Sequence, residues 1–230
     1  MKKSLVIFGY GLGISRSVAI RFGQEGFELA IVARDKRRLK DAVSELKEFG
    51  IKAHAFNADL SDLNNIPSLI DDIRNKLGSI QNILWNAFQD DHGDLIELDP
   101  SSLTQAMHLR VSSYIAVVQT CLKDLEINKG SVLSTNGMMA LDRPEANVFA
   151  IDYASLAIAA TAQYKTTNIL VHTLMPQGIF VGQIIVNGFV QGTAGVQNSP
   201  ENIEPEAVAN KFWELFQHKN IHFDIVSKES

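Results

Sequence analysis

Short apolar runs alternate along this chain with stretches in which apolar residues return every three or four positions. Residues 5–8, Leu-Val-Ile-Phe, form an apolar run that rises into three alternate glycines, Gly9, Gly11 and Gly13. Val18, Ile20 and Phe22 then mark a helix ending at Gly26. Residues 28–33 predict a second buried strand, closed by Arg34. Asp35 is placed to cap the next helix, where Leu39, Val43 and Leu46 recur at i, i+4 and i+7 and Gly50 ends the pattern. A third strand over residues 51–56 runs into Asn57-Ala58-Asp59-Leu60. Leu69, Ile70, Ile73 and Leu77 predict a helix stopped by Gly78, and residues 80–87 a fourth strand.

The second half continues the alternation. Asp99-Pro100 is a cap followed by an N1 proline, opening a long helix with Leu103, Met107, Val111, Tyr114, Val118 and Leu122 facing inward. Residues 131–135 read as a short strand, 147–165 as an Ala-rich helix, and 168–174 as a sixth strand ending at Pro176-Gln177-Gly178. Residues 182–199, rich in Gly, Asn and Gln, read as a mobile loop region. Pro205 opens a last helix through Phe212, Trp213 and Phe216, and residues 221–226 form a final strand. Strand–helix alternation without linker, repeat or low-complexity tract predicts an α/β fold: a doubly wound parallel sheet with helices on both faces, in one domain over residues 1–230.

Composition narrows the function. With 46% hydrophobic and 20% charged residues the chain is of ordinary globular make-up. A net charge of −5, with no basic stripe interleaved with aromatics, argues against nucleic acid as partner. Cys121 is the only cysteine, so no internal disulfide can form and a reducing, cytoplasmic location fits. No apolar stretch approaches the roughly 20 residues that cross a bilayer, so no membrane role is expected. Met1-Lys2-Lys3 before an apolar run mimics a secretory signal, but the glycines break that run and make it a first strand.

Glycines between a strand and a helix point to phosphate. Lacking a Cβ, they let the chain turn sharply and an anion approach the backbone, while the helix start offers unpaired N–H groups and a positive dipole end. That context, strand before and helix after, is what a dinucleotide-binding fold requires.

With seven strand units and a Gly-x-x-x-Gly-Ile opening, residues 5–226 resemble the short-chain dehydrogenase/reductase family. The resemblance implies a Rossmann-type fold of strand order 3-2-1-4-5-6-7, hydride transfer to or from NAD(P) and a small-molecule substrate. It also implies a homodimer or homotetramer, through the Ala-rich helix and the long helix before it. The family's glycine motif falls on Gly9, Gly13 and Ser15, with Ile14 between; Gly11 is an extra glycine, and the Ser15 hydroxyl can donate to a phosphate. Arg34 stands where members preferring NADP keep a basic side chain, and Ala33 where an acid would hold an NAD ribose. A guanidinium pairs with a 2′-phosphate in bidentate fashion, so NADP is expected over NAD. Asp59, followed by Leu60, matches the residue that touches adenine, and can equally cap a helix. Trp85-Asn86-Ala87-Phe88 lies on the family's Asn-Asn-Ala-Gly, keeping Asn86 and Ala87 while Phe88 narrows the cleft.

The chemical half departs from the family. Members pair a tyrosine with a lysine four residues on, the lysine lowering the phenol pKa. The tyrosine near that helix's start is Tyr153, with Ala157 four residues on, and three other registers are open for the pair: Ala146 with Ala150, Asp152 with Leu156, or Phe149 with Tyr153. None contains a lysine, because none occurs between Lys129 and Lys165. The family serine is absent too: Asn136 and Gly137 take its place, with Thr135 or Asn136 as substitute donors. Arg110 falls where an asparagine is expected, with His108 and Ser112 close by, and Pro176-Gln177-Gly178 carries one residue more than the family's Pro-Gly. Tyr153 is the candidate catalytic residue, a neutral proton donor, since a phenol of pKa near 10 is ionised to about one part in a thousand at pH 7. Two functions remain: an NADP(H)-dependent oxidoreductase acting on a small carbonyl or alcohol, or a catalytically inactive cofactor-binding or interaction protein. A fold that binds no nucleotide rests only on Ser15 and Phe88. His218 and His222 have metal-ligand spacing but straddle a helix end, so no metal is expected. Asp90, Asp91, His92 and Asp94 read as a polar loop, with His92 facing substrate as the sharper reading.

Overall fold

The computed structural model describes residues 3–89, 92–193 and 202–228. In chain order the elements are β1 (Ser4–Phe8), α1 (Ile14–Gln24), β2 (Glu28–Ala33), α2 (Lys36–Glu48), β3 (Ala53–Asn57), α3 (Ile66–Leu77) and β4 (Asn82–Trp85). The second half adds α4 (Pro100–Met107), α5 (Tyr114–Asn128), β5 (Ser131–Gly137), α6 (Pro144–Phe149), α7 (Ala154–Leu174), β6 (Phe180–Asn187), β7 (Phe189–Val190), β8 (Asn202–Ile203), α8 (Pro205–His218) and β9 (Phe223–Ser227). Seven strands form one sheet in the order β3-β2-β1-β4-β5-β6-β9, each pair parallel; β7 and β8 make a separate two-stranded ribbon.

Parallel strands covered on both faces need apolar side chains on both, hence the unbroken runs. In β1, Leu5 and Ile7 pack towards α1, α2 and α8, where Phe22, Leu46 and Phe212 are fully buried. Val6 and Phe8 pack towards α3, α5 and α7, with Ile73, Val117 and Val171. On the first side Phe22 meets Trp213 edge-on at 5.1 Å between ring centroids, with Phe27 and Phe216 around them. The helix starts obey capping chemistry: the Asp35 carboxylate accepts from the Arg37 and Arg38 backbone N–H groups at 2.9 and 3.1 Å, and Asp99 accepts from Ser101 N at 2.9 Å.

The structure corrects two expectations. Residues 168–174 are the last two turns of α7, not a strand. Their Ile, Val and Thr content suggests extended chain, but the buried face of α7 is Ala160, Gln163, Thr167, Val171 and Leu174, at helical spacing. Two of those five are polar, which hides the stripe. The sixth strand is instead Phe180–Asn187, largely within the stretch whose Gly, Asn and Gln content suggests a loop. Pro176-Gln177-Gly178 therefore precedes β6 at its amino end, where Lys129 Nζ donates to the Gln177 carbonyl at 3.0 Å, remote from the end where the glycines lie. The Ala146 and Ala150 register loses its basis, because it is counted back from the misplaced strand.

The second concerns the long helix. His108–Ser113, between α4 and α5, is wound as a π-turn. The wider turn shifts the phase of the helix beyond it, so Arg110 and Ser113 are buried while Val111 is only half-buried.

Candidate active site

The carboxyl ends of β1, β2 and β4 open onto a cleft of about 860 Å³. Its floor is the turn after β1. Gly9 has φ +86°, and a Cβ there would lie 2.5 Å from both Cα and N of Ala87, so no other residue fits. The Gly9 and Tyr10 N–H groups both donate to the Val32 carbonyl, at 3.1 and 2.9 Å, and Asn86 Nδ2 donates to the Gly9 carbonyl at 3.1 Å. Asn86 thus braces the glycine turn. Gly11 has open space around it. A Cβ on Gly13 would meet the Thr193 methyl at 2.5 Å. The Ser15 hydroxyl is buried and bonded within the loop, accepting from Gly11 N at 2.8 Å and donating to the Gly11 carbonyl at 3.2 Å. Its proton is committed there, and the expected hydroxyl donation to a phosphate is replaced by closure of the loop.

The expected cofactor residues Gly9, Gly11, Gly13, Ile14, Ser15, Arg34, Asp59, Leu60, Asn86 and Ala87 all line this cleft. Arg34 comes directly after β2 and is exposed. The Asp59 carboxylate accepts from Ser61 N at 2.9 Å and Ser61 Oγ at 2.7 Å. Those two bonds, helped by the Arg34 charge, hold it below the usual carboxylate range. Sequence reasoning missed Arg38, one helical turn beyond Arg34, although that spacing was legible. It also missed Tyr10, His108, Gly192 and Thr193 as lining residues. The last two lie beyond β6, so misplacing that strand concealed them. Burial, with Glu45 nearby, pushes the Tyr10 phenol up to about 12, and its hydroxyl has no hydrogen-bond partner among the described residues.

At the end of β5, the candidate donors turn away from the cleft. Asn136 Nδ2 donates to the Ala160 carbonyl at 2.9 Å, while its Oδ1 accepts from Gly137 N at 2.9 Å and from Arg110 Nη1 at 3.2 Å. The Thr135 hydroxyl is buried without a partner among the described residues. Neither replaces the missing serine as a surface donor. Arg110 also donates from Nη1 to Gln163 Oε1 at 3.1 Å, and Gln163 Nε2 donates to the Thr135 carbonyl at 2.9 Å. The guanidinium carbon lies 5.5 Å from the centroid of the Phe88 ring.

Tyr153 is the residue before α7, in a parallel bridge with Gly93, and it does not line the cleft. Its ring stacks on Phe149 at 5.1 Å and faces His92 at 4.7 Å; Phe149 in turn meets Phe189 at 5.8 Å. Leu156 and Ala157 are buried. Asp94 accepts from the Ile96 and Glu97 N–H groups at 2.7 and 3.0 Å, capping its own turn, whereas Asp90 and Asp91 lie outside the described residues. His218 Nδ1 pairs with the Glu214 carbonyl and His222 Nδ1 with the Val181 carbonyl, so the two rings are held separately.

A glycine-floored cleft at the carboxyl ends of this strand order is a dinucleotide-binding arrangement. The family model for short chain dehydrogenases matches residues 3–193. The chain belongs to the short-chain dehydrogenase/reductase family. It is 25% identical over 163 residues to human short-chain dehydrogenase/reductase 3, covering 70% of this chain and 53% of that protein. The chain thus spans about half the length of this relative. Among solved structures, a short-chain dehydrogenase from Burkholderia cenocepacia J2315 in complex with NADP superposes with a TM-score of 0.87 at 20% identity, covering 99% of this chain and 96% of that one. A 7α-hydroxysteroid dehydrogenase complexed with NADH and 7-oxoglycochenodeoxycholic acid superposes with a TM-score of 0.84 at 20% identity, covering 98% and 93%. Short-chain dehydrogenases/reductases bind NAD or NADP and share this oxidoreductase fold. No helix among the described residues is long and apolar enough to cross a membrane.

Proposed function

We propose that this short-chain dehydrogenase/reductase is an NADP(H)-dependent oxidoreductase acting on a small carbonyl or alcohol. The observation that carries the reading is the floor of the cleft. Gly9 and Gly13 let Ala87 and Thr193 pack against backbone where a Cβ would clash, and the open space at Gly11 leaves the turn accessible to a bulky anion near a helix start. Arg34 and Arg38 both line the β2 side of the cleft, and no acid stands at Ala33; two guanidinium groups favour the extra phosphate of NADP. Asp59 and Leu60 would border the adenine end, and Asn86 would keep the glycine turn in shape. When bound, the cofactor supplies or accepts a hydride.

The accompanying proton needs a donor near the substrate oxygen. Tyr153, outside the cleft lining but bridged to Gly93, five residues on from Phe88, and with His92 against its ring, is our assignment: a phenol that donates during reduction, in a chain with no lysine between Lys129 and Lys165. Exposed Ile158 and Ile169 on α7 support assembly as a homodimer or homotetramer through that helix. Titration of NADPH and NADH, monitored by cofactor fluorescence, tests the reading. NADPH should bind at least tenfold tighter than NADH, and a carbonyl panel should then oxidise it. Failure of both nucleotides to bind refutes the proposal; NADPH binding without turnover on any carbonyl leaves a cofactor-binding protein.

A further inference from the structure

Arg110 is a buried cation with no acid beside it among the described residues. Its side chain comes from the π-turn between α4 and α5 and is 7% exposed. Both of its hydrogen bonds leave from Nη1 and end on neutral amide oxygens, those of Asn136 and Gln163. Among the described residues Nε has no partner and no carboxylate pairs with the guanidinium. Amide oxygens carry only partial charge, so this environment leaves a full positive charge uncompensated. Burial accordingly pulls its pKa down to about 10. Asn136 and Gln163 are themselves tied to the Ala160 and Thr135 carbonyls, so the fork is fixed in place.

Its location gives the charge a purpose. Phe88, whose ring lies over the guanidinium, also lines the cleft and is 44% exposed. We propose that Arg110 is the recognition point for a carboxylate on the substrate, reached when the Phe88 ring turns aside. A planar carboxylate matches the unused Nε edge of the fork in bidentate fashion. A phosphate asks for more donors than this edge offers, and the nearest lining imidazole, His108, is bonded through Nε2 to the Ser61 carbonyl at 2.8 Å. The substrate would then be an oxo- or hydroxy-acid rather than a neutral carbonyl compound. This deepens the oxidoreductase reading and rests on it, since it takes the Phe88 end of the cleft as the substrate end.

The test uses the full chain without cofactor and the probes benzoate, its neutral isostere benzamide, and inorganic phosphate, with binding read by calorimetry. Benzoate should bind at least tenfold tighter than benzamide. Arg110→Met should erase that preference while leaving NADPH affinity within twofold. Gln163→Glu, which supplies an internal carboxylate and keeps the arginine, should erase it as well, and covers the case in which Arg110→Met fails to fold. Equal binding of benzoate and benzamide, preference retained in either variant, or saturation by phosphate alone would each overturn the assignment. NADPH titration is a separate measurement, so failure of the cofactor reading and failure of the carboxylate reading are told apart.

Discussion

The three glycines of the β1–α1 turn should respond differently to the same added methyl group. In Gly9→Ala the new Cβ would sit 2.5 Å from backbone atoms of Ala87 and 2.7 Å from the Asn86 carbonyl carbon, at φ +86°. Left-handed backbone costs an L-residue about 1–2 kcal/mol. Overpacking against backbone that cannot rotate away adds about 1–3 kcal/mol. The sum, about 2–5 kcal/mol, is a large part of the 5–15 kcal/mol that holds a typical domain together. For a chain of this size each kcal/mol moves the midpoint by roughly 2–4 °C, so a fall of about 10 °C is expected. Gly11→Ala meets nothing within 4 Å and should shift stability by less than about 0.5 kcal/mol. Gly13→Ala presses on the Thr193 methyl, the tip of a side chain that can move, and should weaken nucleotide binding more than stability. Thermal unfolding by circular dichroism, with NADPH titration on each variant, separates the three. A Gly9→Ala midpoint within 2 °C of the parent protein, or one matching Gly11→Ala, would refute the reasoning.

Removing Arg34 or Arg38 by alanine substitution should lower NADPH affinity by about tenfold each and leave NADH affinity unchanged, an effect that shrinks in high salt and is read by fluorescence titration. Tyr153→Phe should reduce turnover by about a hundredfold with cofactor affinity intact; activity within threefold would move the proton donor elsewhere. Cys121 is buried and its thiol is pushed up to about 12 by that burial, so a thiol reagent at pH 8 should label it only after unfolding. Asp59 has a lowered carboxyl pKa in the folded chain, so its contribution to stability is present above the unfolded value of 3.8 and is lost as pH falls through the lowered one. Ser61→Ala should raise that pKa, which carboxyl NMR titration would track.

Strands β1 and β2 were legible because a strand buried on both faces must be apolar throughout, and Leu5–Phe8 with residues 28–33 meet that condition without competing patterns. The cap at Asp35 and the stop at Gly78 were legible for an equally local reason. The end of α7 was not. Its inward face carries Gln163 and Thr167, whose burial makes sense only once Arg110 and Ser134 are in place, and β-branched residues outside it imitate a strand. The π-turn left no local mark either, because one extra residue per turn changes phase without changing composition. In the site, the glycines could be named from their place between a strand and a helix, and Arg34, Asp59, Asn86 and Ala87 from the family resemblance. Thr193 could not, because its place above Gly13 is set by a connection returning from the far half of the sheet.

Ser15 changes what nucleotide binding would involve. Its hydroxyl bonds to both backbone groups of Gly11, so the loop that would receive a phosphate is folded together with the protein and needs no ligand to give it shape. The entropy of ordering that loop is then spent during folding, and little remains to be lost on association. The Gly11 amide, although on an exposed residue, should exchange slowly with solvent in the free protein. Affinity in such a loop is set by complementarity rather than by adaptation: it can be very selective for one phosphate geometry, and has little capacity to accommodate another.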